Sequence, residues 1–131
     1  MPNKSKPKKA ADLQYRRADD FVKSYANNAY YESSAWDLTI VFGQLDQPAG
    51  TPAIIRQTIA ITIPWAQAKL LSYFVRLHVA ANEVQNGKVS IRPDLLPPVP
   101  PALTEEEAKD PNAKKLYELV TKFREELIAS S

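Results

Sequence analysis

Between Tyr25 and Ile63 the chain alternates apolar and polar positions, and beyond Pro64 the spacing becomes helical. In "WDLTIVFGQL", Trp36, Leu38, Ile40 and Phe42 fall on one face of a strand and Asp37, Thr39 and Val41 on the other. "AIIRQTIAITI" repeats the pattern, with Ile55, Ile59, Ile61 and Ile63 on one side and Arg56, Thr58, Ala60 and Thr62 on the other. Gln57 interrupts its apolar side. "DQPAGTP", rich in Pro and Gly, reads as the hairpin connection between these two segments. "YANNAYYES" alternates more loosely and turns through Ser33 and Ser34 into the first of them. The pattern predicts a small antiparallel sheet of two to three strands with one dry face.

Proline is favoured at the first helical position, and Gly supplies the left-handed residue that ends a helix. Pro64 and Gly87 therefore bound a predicted helix ending near Asn86. Its polar residues Lys69, Ser72, Arg76 and Glu83 form a narrow stripe, and most other positions are apolar. A helix resting on one sheet needs an apolar arc of only about 100° or a little more. The excess implies a second cover: a second subunit, or the C-terminal helix folded back. A homo-oligomer, dimer or larger, is the expectation, with Trp65, Tyr73, Phe74 and Leu77 as its candidate interface.

Further along, "KVSI" reads as one more short strand. "LLPPVPP" reads as a stiff polyproline spacer. The last segment sets Leu116, Leu119, Val120, Phe123 and Leu127 on one helical face. Near the N-terminus "ADLQYRRADDFVKSY" suggests a short helix, preceded by a Lys-, Pro- and Ser-rich arm with nothing to pack. The fold class is α+β: the sheet packed on one long helix, then the Pro-rich spacer and a C-terminal amphipathic helix. The expected divisions are a basic arm over 1–23, a core over 24–92, a Pro-rich acidic linker over 93–111 and the final helix over 112–131.

The 131 residues carry a net charge of only +2, unevenly placed. Residues 1–23 hold seven basic and three acidic side chains, 24–103 five of each, and 104–131 five basic and seven acidic. Lys4, Lys6, Lys8, Lys9, Arg16 and Arg17 are candidates for phosphate contacts with a nucleic acid, with Tyr15 as a stacking group. A solubilising tail uses the same residues.

The chain has no cysteine, which excludes disulfides, thiol catalysis and Cys-based metal sites. His78 is the single histidine, mid-helix between Leu77 and Val79, where a packed histidine is the expected role. Glu105, Glu106 and Glu107 read as the start of a helical turn. Neither Ser33 and Ser34, in a turn, nor Ser72, on the polar stripe, has a base at recognisable spacing, and the three glycines make no phosphate loop. No catalytic, cofactor or metal residues are assigned, and the chain is expected not to be an enzyme. It carries no run long enough to span a membrane and no secretory h-region. A cytoplasmic location is expected.

Tyr25, Tyr30, Tyr31 and Trp36 crowd around one turn, fitting either an interface or the closed end of a sheet. Asn27 and Asn28 between them are placed to satisfy backbone at a bulge or edge.

"YANNAYY", "SSAWDLTIVFGQ", "QTIAITIP" and "PWAQAKLL" follow one another in an order that resembles an uncharacterised bacterial family, a numbered domain of unknown function, over Tyr25 to Gly87. That resemblance implies a fold, a strand–strand–helix core, and brings no particular activity with it. Two departures stand out. Ile63 occupies the place where the family has a capping Ser or Thr, so Thr62 must cap from one residue earlier or the cap is lost; and the Pro-rich segment and last helix look like additions. The order of elements also loosely resembles the export chaperone SecB, a likeness of topology alone.

Three functions are consistent with these residues. The first is a non-enzymatic accessory or assembly protein, an oligomer docking to a larger complex through its terminal extensions. Its partner-binding candidates are Pro97, Pro98, Pro100, Pro101, Leu116, Leu119, Val120, Phe123 and Leu127. The second is a nucleic-acid-associated protein using the basic arm, and the third a SecB-like holdase chaperone.

Overall fold

Alternation commits residues 28–33, 37–46 and 54–64 to strands, and the structure, a computed structural model, describes residues 13–46 and 52–131. Strands β1 (Asn28–Ser33), β2 (Asp37–Asp46) and β3 (Ile54–Pro64) form an antiparallel meander in the order β1-β2-β3. Helices α1 (Trp65–Asn86) and α2 (Pro111–Ser130) follow, separated by short 3-10 helices at Pro93–Leu95 and Glu107–Lys109. The sheet thus has three strands. Lys4, Lys6, Lys8 and Lys9 and most of the β2–β3 connection lie outside the described residues.

The chain divides into two compact units, one up to Ala68 and one from Lys69 onward. In the first, Tyr31, Leu38, Ile40, Phe42, Ile59, Ile61 and Ile63 share a face through the pairs Tyr31↔Ile40, Leu38↔Ile63, Ile40↔Ile61 and Phe42↔Ile59. Ile40, on the central strand, is the one buried hydrophobic residue among the described residues, at 7% exposure. Opposite, Thr39 and Thr62 pair and their hydroxyls lie 2.8 Å apart. Thr62 spends its hydroxyl there and not on a helix cap.

The register corrects one expectation. It shifts between Phe42 and Gly43, where Phe42 faces Ile59 but Gly43 faces Gln57, leaving Thr58 as the extra residue of a β-bulge. Because the period is two, every residue before the bulge changes side. Ile55 therefore pairs with Leu45 and lies away from Ile59, while Gln57 sits on the polar face and interrupts nothing. Gly43 is required where the backbones close in: a Cβ there would lie 2.7 Å from the Arg56 carbonyl oxygen.

Beside the bulge, the start of β1 is stitched by Asn27, whose backbone N–H donates to Gly43 O (3.1 Å) and whose Oδ1 accepts from the Leu45 N–H (2.8 Å). Asn27 thus satisfies edge backbone as its position suggested. Residues 13–27 do not make the expected helix; a single turn closes with Phe21 N–H donating to Ala18 O. Its apolar residues are too sparse to cover a helical face.

In the second unit α1 ends at Gly87, whose φ of 92° is the left-handed stop. "KVSI" forms no strand among the described residues; the Val89 N–H is instead taken by the Glu83 carboxylate at 2.9 Å. The Glu105–Glu107 run does open a helical turn, with Thr104 Oγ1 accepting from the Glu107 N–H at 3.2 Å. Asp110 then caps α2, its carboxylate accepting from the Asn112 N–H at 2.9 Å ahead of Pro111 at N1.

Candidate interaction surfaces

At 100° per residue, α1 has two apolar faces and two polar seams. Leu70, Tyr73, Phe74, Leu77, Ala81 and Val84 make the broad face; Ala68, Leu71, Val75 and Val79 make the narrow one. Lys69, Ser72, Arg76 and Glu83 run down one seam, and Gln67, His78, Asn82 and Gln85 down the other. No residue of α1 is buried, and Tyr73 is 61% exposed. Tyr73 and Phe74 meet edge to face, ring centroids 5.1 Å apart, and mark the two margins of the broad face, with Leu70 and Leu77 between them. α2 does not cover that face. Of the four expected interface residues, Tyr73, Phe74 and Leu77 come together. Trp65 stands apart at the helix start, where its indole N–H donates to Ser34 O at 3.0 Å.

That turn is held by Ser34, whose Oγ donates to Asp37 Oδ1 (2.9 Å) and accepts from the N–H groups of Trp36 and Asp37 (both 3.1 Å). The aromatics around it do not gather. Tyr30 and Tyr31 pair with Val41 and Ile40 and so point to opposite sheet faces. On the dry face Val22, Ser24 and Ala26 rim a cleft of ≈ 370 Å3 floored by Phe42, Ile59 and Ile61.

The spacer and the last helix, offered separately as partner sites, meet each other. Pro100, Pro101 and Leu103 border a cleft with Ala113, Leu116, Tyr117 and Val120, and Pro97 and Pro98 border another with Val120, Phe123, Arg124 and Leu127. The spacer therefore runs antiparallel to α2. Arg124 fastens it, its Nε donating to Pro97 O at 2.9 Å. Prolines supply carbonyls without N–H groups of their own, which suits them to a side-chain donor. Ala113, Tyr117, Thr121, Arg124 and Leu127 are the half-buried positions of α2 and mark the clasped side. Beside them Leu116 (61% exposed), Leu119, Val120 and Phe123 (59%) remain open. The shielded Thr121 Oγ1 has no hydrogen-bond partner.

Of the basic candidates, Arg16 and Arg17 lie within the described residues and are exposed. Arg16 donates to Gln14 Oε1 at 3.2 Å, and the Arg17 guanidinium lies 4.7 Å from the Phe21 ring centroid. Among the described residues no three His, Asp or Glu side chains converge on a metal-sized site. No helix among them is long and apolar enough to cross a membrane.

A three-stranded meander running directly into a long helix defines a small α+β domain that exposes apolar faces. The chain belongs to the family described as protein of unknown function (DUF3467), whose model matches residues 1–91. The spacer prolines and α2 fall outside that match. No curated protein and no solved structure matches the chain, so the likeness to SecB rests on element order alone.

Proposed function

We propose that this protein is a non-enzymatic, cytoplasmic accessory or assembly factor. Its sheet and α1 form the body of a homo-oligomer, and its terminal extensions dock onto a larger protein complex. The observation that carries the reading is the free stripe of α2, where Leu116, Leu119 and Phe123 stay open although the spacer is clasped to the adjacent side. Apolar residues at i, i+3 and i+7 are the anchors of a helix laid into a partner's groove. The clasp holds that helix in shape before docking, which lowers the ordering cost of binding.

The test compares the full chain with a Leu116→Glu/Phe123→Glu variant as bait in native extract, with and without nuclease and at two salt concentrations. The reading expects stoichiometric proteins that survive nuclease and salt, and their loss with the variant at unchanged helix content. Recovery that collapses with nuclease or salt would shift the function to Arg16, Arg17 and the lysines before them.

A further inference from the structure

The sheet has two edges, and they are guarded unequally. β1 is six residues long, carries Glu32 and has Asn27 spending its side chain on backbone. β3 is eleven residues long; the bulge at Thr58 and Arg56, 4.0 Å from Asp46, guard its first half, and Pro64 its last residue. Natural sheets blunt their edges with charges, prolines and bulges. Between Ile59 and Ile63 there is none of these, and Ile59 and Ile61 stay 41% and 46% exposed. That half of the edge also reads the same in both directions: Thr58-Ile59-Ala60-Ile61-Thr62.

We infer that a second copy of this chain adds its β3 antiparallel to this one, on a twofold axis at Ala60, making a continuous six-stranded sheet. The inference rests on the oligomeric reading above and names the surface that joins the copies. A twofold contact is built from one patch meeting itself, so the patch must be self-complementary. Centred on Ala60, antiparallel pairing sets Ile59 against Ile61 and the small Ala60 against itself, with no like charges opposed, and the ladder ends where Thr62 meets the bulged Thr58. β-branched pairs of this kind stabilise an antiparallel ladder. An axis perpendicular to the sheet keeps the faces matched, so the dry face carrying Ile59 and Ile61 continues from one copy into the next. Pairing over Ile59–Ile61, clear of the bulge, closes about two to four main-chain hydrogen bonds, since bonded pairs alternate with non-bonded ones and exchange two bonds each.

The absence of cysteine makes the test direct. Cα atoms facing across antiparallel strands are about 4.5–5.5 Å apart, within disulfide range. Ala60→Cys should therefore cross-link the full chain into a covalent dimer under mild oxidation, while Tyr30→Cys on the other edge stays monomeric on a non-reducing gel. Spin labels then read the gradient: each rung from the axis adds about 6.6 Å between equivalent residues, and with the bulge counted Arg56 is three rungs out and Ile54 five, giving about 20 Å at Arg56→Cys and about 33 Å at Ile54→Cys. A dimeric protein without cross-linking at Ala60→Cys and without that gradient overturns the β3 contact and leaves the oligomeric reading standing. A protein monomeric at every concentration overturns both.

Discussion

Gly43→Ala is the substitution that probes the sheet most sharply. The new methyl would sit 2.7 Å from the Arg56 carbonyl oxygen and 3.1 Å from both the Arg56 carbonyl carbon and the Gln57 Cα. All three are backbone atoms, so no side chain can swing aside. The two strands must part at the bulge or the ladder beyond it must shift. Overpacking of this size costs about 1–3 kcal/mol. Alanine's smaller conformational freedom in the unfolded chain returns about 0.4–1 kcal/mol. The net loss is about 1–2 kcal/mol, or roughly 0.5–1 M in urea midpoint at a slope near 2 kcal/mol/M. Urea unfolding followed by the fluorescence of Trp36 and Trp65 measures it, at one fixed protein concentration because association shifts the midpoint. An alanine variant as stable as the parent would refute the reasoning, because the Arg56 backbone could not then lie over Gly43.

Three further substitutions test other parts of the account. Asp110→Ala removes the α2 cap and should lower stability by about 1 kcal/mol, with the loss of helix visible by circular dichroism. Thr121→Val replaces a shielded hydroxyl that has no partner with a group of the same shape, and should raise the thermal midpoint by the equivalent of about 1 kcal/mol. Tyr73→Glu/Leu77→Glu places two charges on the broad face of α1; sedimentation should show weakened association at unchanged helix content if that face is covered in the oligomer.

Much of the fold was legible because period-two alternation is a local signal. Leu38, Ile40, Phe42, Ile59, Ile61 and Ile63 lie on one face as their spacing predicts. The bulge left a trace that alternation alone misread: a polar Gln57 in an apolar slot, with a glycine in the neighbouring strand. Once a residue is inserted, Ile55 belongs to the other face. "KVSI" has strand-forming residues, but a strand also needs a neighbour, and Glu83 takes the Val89 N–H first. Tyr30 and Tyr31 looked clustered because sequence distance hides the alternation that separates them. The clasp between spacer and α2 depends on contacts such as Arg124 to Pro97, 27 residues apart, which no local pattern encodes.

At the centre of the account is the proposal that a second copy closes apolar surface that the single chain leaves open. Sedimentation equilibrium of the full chain over a hundredfold concentration range tests this most directly. The account predicts a dimer or a larger closed assembly, dissociating only on dilution. A single species at the 14.7 kDa chain mass throughout would contradict it.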